Sequence, residues 1–200
     1  MHSAGTRLTG ILLAAGRGQR FDPTGEQNKL LQALSSGQSV AEAAARNLLT
    51  VLPAVLAVVR PEHTALAAQL RAIGCRVSVC THADEGMAAS LVHALVQTSD
   101  AQGWLIALAD MPNVRSATIE ALGKAIRHET DIAVPMYRGQ RGNPVAFGRA
   151  HLSDLLALRG DQGARQLLKT RPLIEVVTDD AGIMQDVDTV ADLAGCNERR

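Results

Sequence analysis

The chain has 200 residues, of which 46% are hydrophobic and 20% charged, and its 20 basic and 20 acidic side chains give a formal net charge of zero. A neutral chain has no general attraction to nucleic acids or anionic membranes, and aromatic residues at 2% are too few for the base-stacking surfaces of single-strand binders. The length suits a single core, so we expect residues 1–200 to form one domain.

The cysteines and the apolar segments indicate where the protein resides. Cys75, Cys80 and Cys196 form no C-x-x-C pair and no cluster with histidine, so we expect reduced thiols. No apolar stretch approaches the roughly 18 residues of a membrane span. Ile11–Ala15 is too short for a signal peptide and runs into Arg17. These features predict a cytoplasmic protein, which we expect to be a monomer or a weak homo-oligomer.

Six apolar segments of strand length recur along the chain, and several are continuous rather than alternating. They are Gly10–Ala15, Ala54–Arg60, Cys75–Cys80, Trp104–Ala109, Asp131–Pro135 and Leu173–Thr178. Continuous apolar runs are typical of strands that are covered on both faces of a mostly parallel sheet.

Helical patterns lie between these segments. Ser39 and Glu42 have the form of a capping box at the start of the first helix. The later helices are predicted over Glu62–Ile73, Met87–Gln97 and Ser116–His128. Strands that alternate with helices indicate an α/β sandwich. The turn-rich segment Met136–Gly148 is the exception, and we predict an irregular excursion or a hairpin there.

The stretch Ile11–Leu31 joins the first strand to a glycine-rich loop that carries Arg17, Arg20 and Lys29. Backbone amides and fixed positive charge in such a loop suit a polyphosphate, although a solvated turn is an alternative. The dinucleotide-binding pattern fails because Phe21 replaces its third glycine, and no Gly-Lys-Ser/Thr of a Walker loop is present.

Carboxylates that could hold a metal follow the later strands. Asp110 comes directly after the apolar run Trp104–Ala109, at the edge where open α/β sheets bind ligands, and Mg²⁺ takes one or two carboxylates together with phosphate oxygens. Asp186 and Asp188 face the same way on an extended segment and could complete this site. Alternatively, Asp188 or Thr189 caps the helix that begins at Val190.

A further candidate segment is Asp84–Leu91, where Gly86 and small residues open a helix after the third strand. Small side chains permit close approach of a base or ribose, and the Ser90 hydroxyl could bind it. A glycine at this position is also common for local reasons. The six histidines are scattered, and we assign none of them a catalytic role.

With these motifs placed, the chain resembles the molybdenum cofactor nucleotidyltransferase family and, within it, the cytidylyltransferases. The matching runs follow the family's order: Leu13–Phe21, Asn28–Leu31, Gly86–Leu91, Ala109–Pro112, Gly142–Arg149, Gly160–Arg165 and Asp186–Thr189. The guanylyl-transferring relatives tend to have glycine where this chain has Ala15. The chain departs from the family's pattern at Asp22–Gln27, which resembles a small insertion, and at Asn143, where many relatives have histidine.

The resemblance implies a three-layer α/β/α Rossmann-like nucleotidyltransferase fold with a mostly parallel sheet. It also implies transfer of CMP from CTP to molybdenum-loaded molybdopterin with release of pyrophosphate, and Mg²⁺ as cofactor, with Mn²⁺ as an alternative. A molybdoenzyme that receives the finished cofactor is a further expected partner.

The site residues follow from the motifs and the resemblance together. Catalytic roles are expected for Lys29, Arg20 and Asp110. Nucleotide binding is expected at Leu13, Ala14, Ala15, Gly16, Arg17, Gly18, Lys29, Gly86, Ser90 and Asp110. The metal ligands are expected to be Asp110, Asp186 and Asp188. The acceptor is expected to contact Asn143, Pro144, Arg149 and Arg165.

Two alternative functions remain at this stage. One is a nucleotidyltransferase that uses another nucleotide, such as GTP, or another phosphorylated acceptor. The other is a non-catalytic cofactor-binding chaperone for a molybdoenzyme, which could dispense with Asp110 and Lys29. Because both residues are present, the sequence favours an enzyme.

Overall fold

Eight strands form one sheet at the centre of the structure, a computed structural model that describes residues 8–165 and 167–198. The strands are β1 Thr9–Ala14, β2 Val55–Val59, β3 Arg76–Val79, β4 Gly103–Leu108, β5 Ile132–Tyr137, β6 Gln140–Arg141, β7 Val145–Gly148 and β8 Ile174–Val177. Their spatial order is β3-β2-β1-β4-β7-β5-β6, and β8 pairs with β5. The pairs β1–β2, β1–β4, β2–β3 and β5–β8 are parallel, as the apolar runs predict.

Helices cover both faces of this sheet. They are α1 Val40–Leu49, α2 Thr64–Ala72, α3 Met87–Gln97, α4 Ser116–Ala125, α5 Leu152–Leu156, α6 Leu167–Thr170 and α7 Val190–Glu198. One core layer packs α1, α2 and α4 against the sheet, and the other packs α3, α5 and α6 against the opposite face. The predicted three-layer α/β/α fold is therefore confirmed.

The six predicted strands are all present, with ends shifted by one or two residues. The prediction that strands are covered on both faces is clearest for β2, whose five residues are all buried. The β3 strand is different because it lies at the edge of the sheet, where Arg76 and Val79 are exposed.

The segment Met136–Gly148 is a hairpin rather than an irregular excursion. The chain reverses at Arg138 and Gly139, which both have positive φ, and returns as β6 and then β7. The sequence prediction missed that β7 lies antiparallel between β4 and β5 in the middle of the sheet. Only four residues form this strand, and a run so short carries little signal of its own even though Ala146 and Phe147 are fully buried.

Local signals account for most helix boundaries. The Ser39 hydroxyl accepts a hydrogen bond from the Glu42 amide at 3.1 Å, which confirms the predicted cap of α1. The α3 helix has its predicted bounds, whereas α4 ends three residues earlier than predicted, at Ala125. In the parts of the chain described above, no helix combines the length and the apolar character that a bilayer span requires.

Candidate functional site

A pocket of about 420 Å³ opens beyond the carboxyl ends of β1, β2 and β4. Its lining includes the following residues that the sequence singled out: Leu13, Ala15, Gly16, Arg17, Lys29, Gly86, Ser90 and Asp110. Two other predicted nucleotide-binding residues do not line it. Ala14 points into the opposite core layer and is 1% exposed, and Gly18 packs beside the stem of Lys29, where an added Cβ would lie 3.5 Å from Lys29 Cγ.

Local hydrogen bonds shape the loop that carries Lys29. The Asp22 carboxylate accepts hydrogen bonds from the amides of Thr24 at 2.9 Å and Gln27 at 2.7 Å, so the insertion Asp22–Gln27 forms a self-contained turn. The Asn28 side chain then accepts from the Leu30 amide at 2.9 Å and starts the 3₁₀ turn Lys29–Leu31. Asn28 therefore acts on the backbone and directs Lys29 into the pocket.

Lys29 lies between two carboxylates that come from distant parts of the chain. Its Nζ donates to Asp110 Oδ2 at 2.7 Å and to Asp188 Oδ1 at 3.0 Å, and the residue is only 8% exposed. Burial alone would lower the pKa of Lys29, but the two carboxylates outweigh burial and hold it above its ordinary value. Lys29 is therefore a fixed positive charge at neutral pH.

The two carboxylate oxygens of Asp110 differ in their hydrogen bonding. Oδ2 accepts from Lys29, whereas Oδ1 is buried and has no hydrogen-bond partner among the described residues. A buried acceptor without a partner is unfavourable, so it suits a cation that binds there. Carboxylate oxygens are the ligands that Mg²⁺ and Mn²⁺ prefer, and Asp110 therefore fits a divalent metal.

The three predicted metal ligands are not assembled into a ready-made cage. Within residues 8–165 and 167–198, no group of three or more histidine, cysteine or acidic side chains is placed to hold a metal ion. The physical reason is that the Lys29 ammonium lies between Asp110 and Asp188 and neutralises both. Among the described residues, Asp110 Oδ1 is the oxygen of this group that has no hydrogen-bond partner. The assignment of Asp110, Asp186 and Asp188 as metal ligands stays a prediction.

Asp186 and Asp188 differ in their surroundings. Burial and then the charge of Asp188 raise the pKa of Asp186. Burial would also raise the pKa of Asp188, but Lys29 and then Arg20 hold it below its ordinary value. The Arg20 guanidinium lies 2.7 Å from Asp188 Oδ2, so the predicted Arg20 joins the same charged group from the exposed side.

Of the two alternatives for Asp188, the structure supports the one that directs it toward the site. The start of α7 is capped by Thr189, whose hydroxyl accepts from the Asp192 amide at 3.2 Å, while Asp192 accepts from the Thr189 amide at 2.7 Å. Asp188 is not needed for this cap. Its segment is held beside β4 by a hydrogen bond from the Val187 amide to the Asp110 carbonyl at 2.8 Å.

A second charged group on the pocket wall was not predicted from the sequence. Arg60 follows β2, is 8% exposed and forms an ion pair with Asp84, which Arg17 also contacts at 2.7 Å. Hydrogen bonds from Arg60 and then Arg17 lower the pKa of Asp84. A usable signal existed, because Arg60 ends a buried parallel strand and must therefore lie at the same edge as Asp110.

The predicted acceptor residues are not brought together. Asn143 and Pro144 line a separate small cavity beside Leu108. Arg165 is exposed at the end of the 3₁₀ turn Gly160–Arg165. Arg149 follows β7, which runs antiparallel to β4, so it lies at the opposite edge of the sheet and donates to the Ala101 carbonyl. Arg149 therefore lies apart from the pocket, and the acceptor contacts stay a prediction.

Gly86 packs closely against the turn that begins at Gly160. A Cβ added to Gly86 would lie 2.6 Å from both the Gly160 carbonyl carbon and Asp161 Oδ1, and the φ of Gly86 is +109°, which side chains rarely adopt. Gly86→Ala is therefore expected to lower the free energy of unfolding by about 1–3 kcal/mol, which urea denaturation measures. The matched control is Gly123→Ala in α4, where nothing lies within 4 Å of the added carbon. We expect the control to be neutral or stabilising. Equal stability losses in the two variants would contradict the close packing at Gly86.

Comparisons with known proteins bear on the whole chain. The family model described as "MobA-like NTP transferase domain" matches residues 10–176. The purine catabolism protein PucB of Bacillus subtilis (strain 168) is 31% identical over 199 residues, which cover 91% of this chain and 92% of PucB.

Solved structures show the same fold. The crystal structure of Rv0371c from Mycobacterium tuberculosis H37Rv has a TM-score of 0.84 and 28% identity, and covers 98% of this chain and 100% of that chain. A complex of Rv0371c with manganese has a TM-score of 0.80, 27% identity and the same coverage. The nucleotidyl transferase Mth528 from Methanothermobacter thermautotroptrophicus has a TM-score of 0.83 and 23% identity over 97% of both chains.

Proposed function

Since the chain belongs to the family of MobA-like NTP transferase domains, we propose that it transfers CMP from CTP to molybdenum-loaded molybdopterin and releases pyrophosphate. Nucleotidyl transfer itself follows from the family. The choice of CTP rests on the resemblance of Leu13–Phe21 to the cytidylyl branch, with Ala15 where the guanylyl branch has glycine. The choice of molybdenum-loaded molybdopterin as the acceptor rests on the resemblance alone.

The observation that carries the proposal is the difference in hydrogen bonding between the two oxygens of the Asp110 carboxylate. Lys29 holds one oxygen at 2.7 Å, and the other oxygen is buried at the end of β4 with no hydrogen-bond partner in the described parts of the chain. A carboxylate held in this way beside a cationic glycine loop is suited to a divalent ion that also contacts phosphate oxygens. We propose Mg²⁺ as this ion, with Mn²⁺ as a substitute.

The bound triphosphate is proposed to lie along the loop. The backbone amides of residues 15–18, with Arg17 and Arg20, would bind the β- and γ-phosphates. Lys29 would contact the α-phosphate, since it is buried beside Asp110 and is already charged. Arg20 is well placed to move from Asp188 to a phosphate because its side chain is mostly exposed.

In the proposed reaction, a terminal phosphate oxygen of the acceptor attacks the α-phosphorus of CTP. A bond forms between them, the bond to the bridging oxygen of pyrophosphate breaks, and its electron pair leaves with pyrophosphate. The nucleophile is already ionised at neutral pH because the second pKa of a phosphate monoester is about 6, so the protein needs no strong general base. The absence of an assigned catalytic histidine agrees with this chemistry.

The protein therefore contributes by positioning the reacting groups and by offsetting their negative charge. Lys29 offsets the negative charge that shifts toward the leaving group, and Asp110 and Asp188 hold the Lys29 ammonium in place. A divalent ion held by Asp110, with Asp186 or Asp188 as a further ligand, would neutralise phosphate oxygens.

Transfer to another phosphorylated acceptor is the second candidate function. It is favoured by the position of Arg149 at the far edge of the sheet and of Asn143 outside the main pocket, since neither residue contributes to an acceptor surface there. A sugar phosphate or an alcohol phosphate would need fewer contacts than molybdopterin.

The proposal is tested by incubating the protein with Mg²⁺, each of the four nucleoside triphosphates, and molybdenum-loaded molybdopterin or a sugar phosphate. Pyrophosphate release is measured with and without the acceptor. We expect release only with CTP and molybdopterin together. Equal release from every triphosphate would contradict the choice of CTP, and release with the sugar phosphate alone would favour the second candidate.

A further inference from the structure

Asp161 is a carboxylate of the pocket that lies in the matching run Gly160–Arg165 but has no part in the proposed chemistry. It lies in the 3₁₀ turn Gly160–Arg165, far along the chain from the glycine loop, and lines the pocket beside Gly86. The contact is close, because a Cβ added to Gly86 would meet Asp161 Oδ1 at 2.6 Å. The absence of a side chain at Gly86 is therefore what allows Asp161 to lie against this wall.

The charges of the pocket divide it into two parts. Cations and loop amides surround one part, where the proposed triphosphate would be stabilised, with its α-phosphate next to Lys29 and Asp110. The nucleoside must extend from the α-phosphate into the remaining space. That space is bounded by Leu13 and Leu108 and by the wall that carries Gly86 and Asp161. Asp161 therefore lies on the nucleoside side of the pocket.

Besides Asp110, two carboxylates line the pocket, Asp84 and Asp161, and they differ in what they can still bind. Asp84 already forms ion pairs with Arg17 and Arg60. Asp161 forms no ion pair or side-chain hydrogen bond with any residue in the described parts of the chain, and its side chain is exposed to the solvent in the pocket. An unpaired carboxylate would repel a triphosphate, so its chemistry suits neutral hydroxyl donors instead.

We propose that Asp161 accepts hydrogen bonds from the vicinal hydroxyls of the bound nucleotide's ribose and makes the pocket selective for ribonucleotides over 2′-deoxyribonucleotides. Vicinal hydroxyls suit a carboxylate because each of its oxygens can accept one donor, and acidic side chains bind ribose in this way in other nucleotide sites. The inference rests on the proposed function, because it assumes that the pocket binds a nucleoside triphosphate.

The test is equilibrium binding of ribo- and 2′-deoxynucleotide pairs, measured by calorimetry with Mg²⁺ for CTP and dCTP and for the other three pairs. We expect the wild-type protein to bind CTP about tenfold more tightly than dCTP, as one hydrogen bond to a charged group predicts. In Asp161→Ala the affinity for dCTP should fall about tenfold, because dCTP keeps the 3′-hydroxyl, and that for CTP about a hundredfold, because both hydroxyls lose their acceptor. The preference for CTP over dCTP should therefore disappear. Asp161→Asn, which keeps a single oxygen acceptor, should retain part of the preference.

Glu85→Gln is the matched control, since it removes an exposed acidic charge next to Gly86 from a residue that does not line this pocket. It should leave the preference for CTP over dCTP intact. Thermal unfolding of each variant checks that the fold is preserved.

The outcomes separate this inference from the function on which it rests. If the wild-type protein binds CTP and dCTP equally, or if Asp161→Ala keeps the preference, the role of Asp161 is overturned and the proposed function stands. If the wild-type protein binds none of the four ribonucleotides, the proposed function fails and the inference fails with it.

Discussion

Replacement of Asp110 by alanine is expected to reduce nucleotidyl transfer about a thousandfold while the protein remains folded. The substitution removes the buried oxygen that is open to a divalent cation and also one of the two carboxylates that hold Lys29. Both effects act where charge moves in the reaction, so the turnover should fall far more than the free energy of unfolding. Pyrophosphate release in the presence of CTP, acceptor and Mg²⁺ measures the effect, and thermal unfolding verifies the fold.

A matched control for this variant is Asp179→Asn. Asp179 also pairs with an arginine, Arg115 at 3.0 Å, but it is almost fully exposed and does not line the pocket. We expect unchanged turnover in the control. Near-normal turnover of Asp110→Ala in excess Mg²⁺ would show that the metal assignment is wrong.

Replacement of Lys29 is expected to lower turnover about 100- to 1000-fold and the affinity for CTP less than tenfold. The ammonium is fixed by Asp110 and Asp188 before any nucleotide binds, so its largest contribution belongs to the transition state. Lys29→Met is the preferred variant because it keeps an unbranched stem beside Gly18 and avoids a cavity. Steady-state kinetics give the turnover, and calorimetry gives the affinity.

The control for Lys29 is Lys124→Met, which removes a lysine that is paired with Glu120 at 2.6 Å on the surface of α4. This change should leave both quantities unaltered. A Lys29 variant that loses affinity but keeps its turnover would indicate a contact made equally in the ground state, and Lys29 would then not be catalytic.

The centre of the site could be predicted because its signals are local. Asp110 directly follows a long apolar run, and a parallel strand of that kind delivers its last residue to the ligand-binding edge. Lys29 was identified by the charge and glycine content of its loop. The Ser39 cap and the glycine before α3 were also recognisable, since each depends on neighbours within a few residues.

The parts that escaped prediction depend on long-range pairing. The direction of β7 and its position between β4 and β5 are set by contacts with distant strands, and this direction places Arg149 at the edge of the sheet opposite the pocket. The ion pair of Arg60 with Asp84 joins residues whose separation in sequence hides their proximity. The carboxylates of Asp186 and Asp188 pointed to a metal cage, but the sequence did not reveal that Lys29 would lie between Asp188 and Asp110.

The most direct test of the account follows the α-phosphate itself. The protein is incubated with CTP labelled at the α-phosphorus, Mg²⁺ and molybdenum-loaded molybdopterin, and the labelled products are separated. The account predicts that the label moves to the acceptor with one pyrophosphate released per transfer. Label that remains in CTP, or that appears as free CMP without an acceptor adduct, would contradict it.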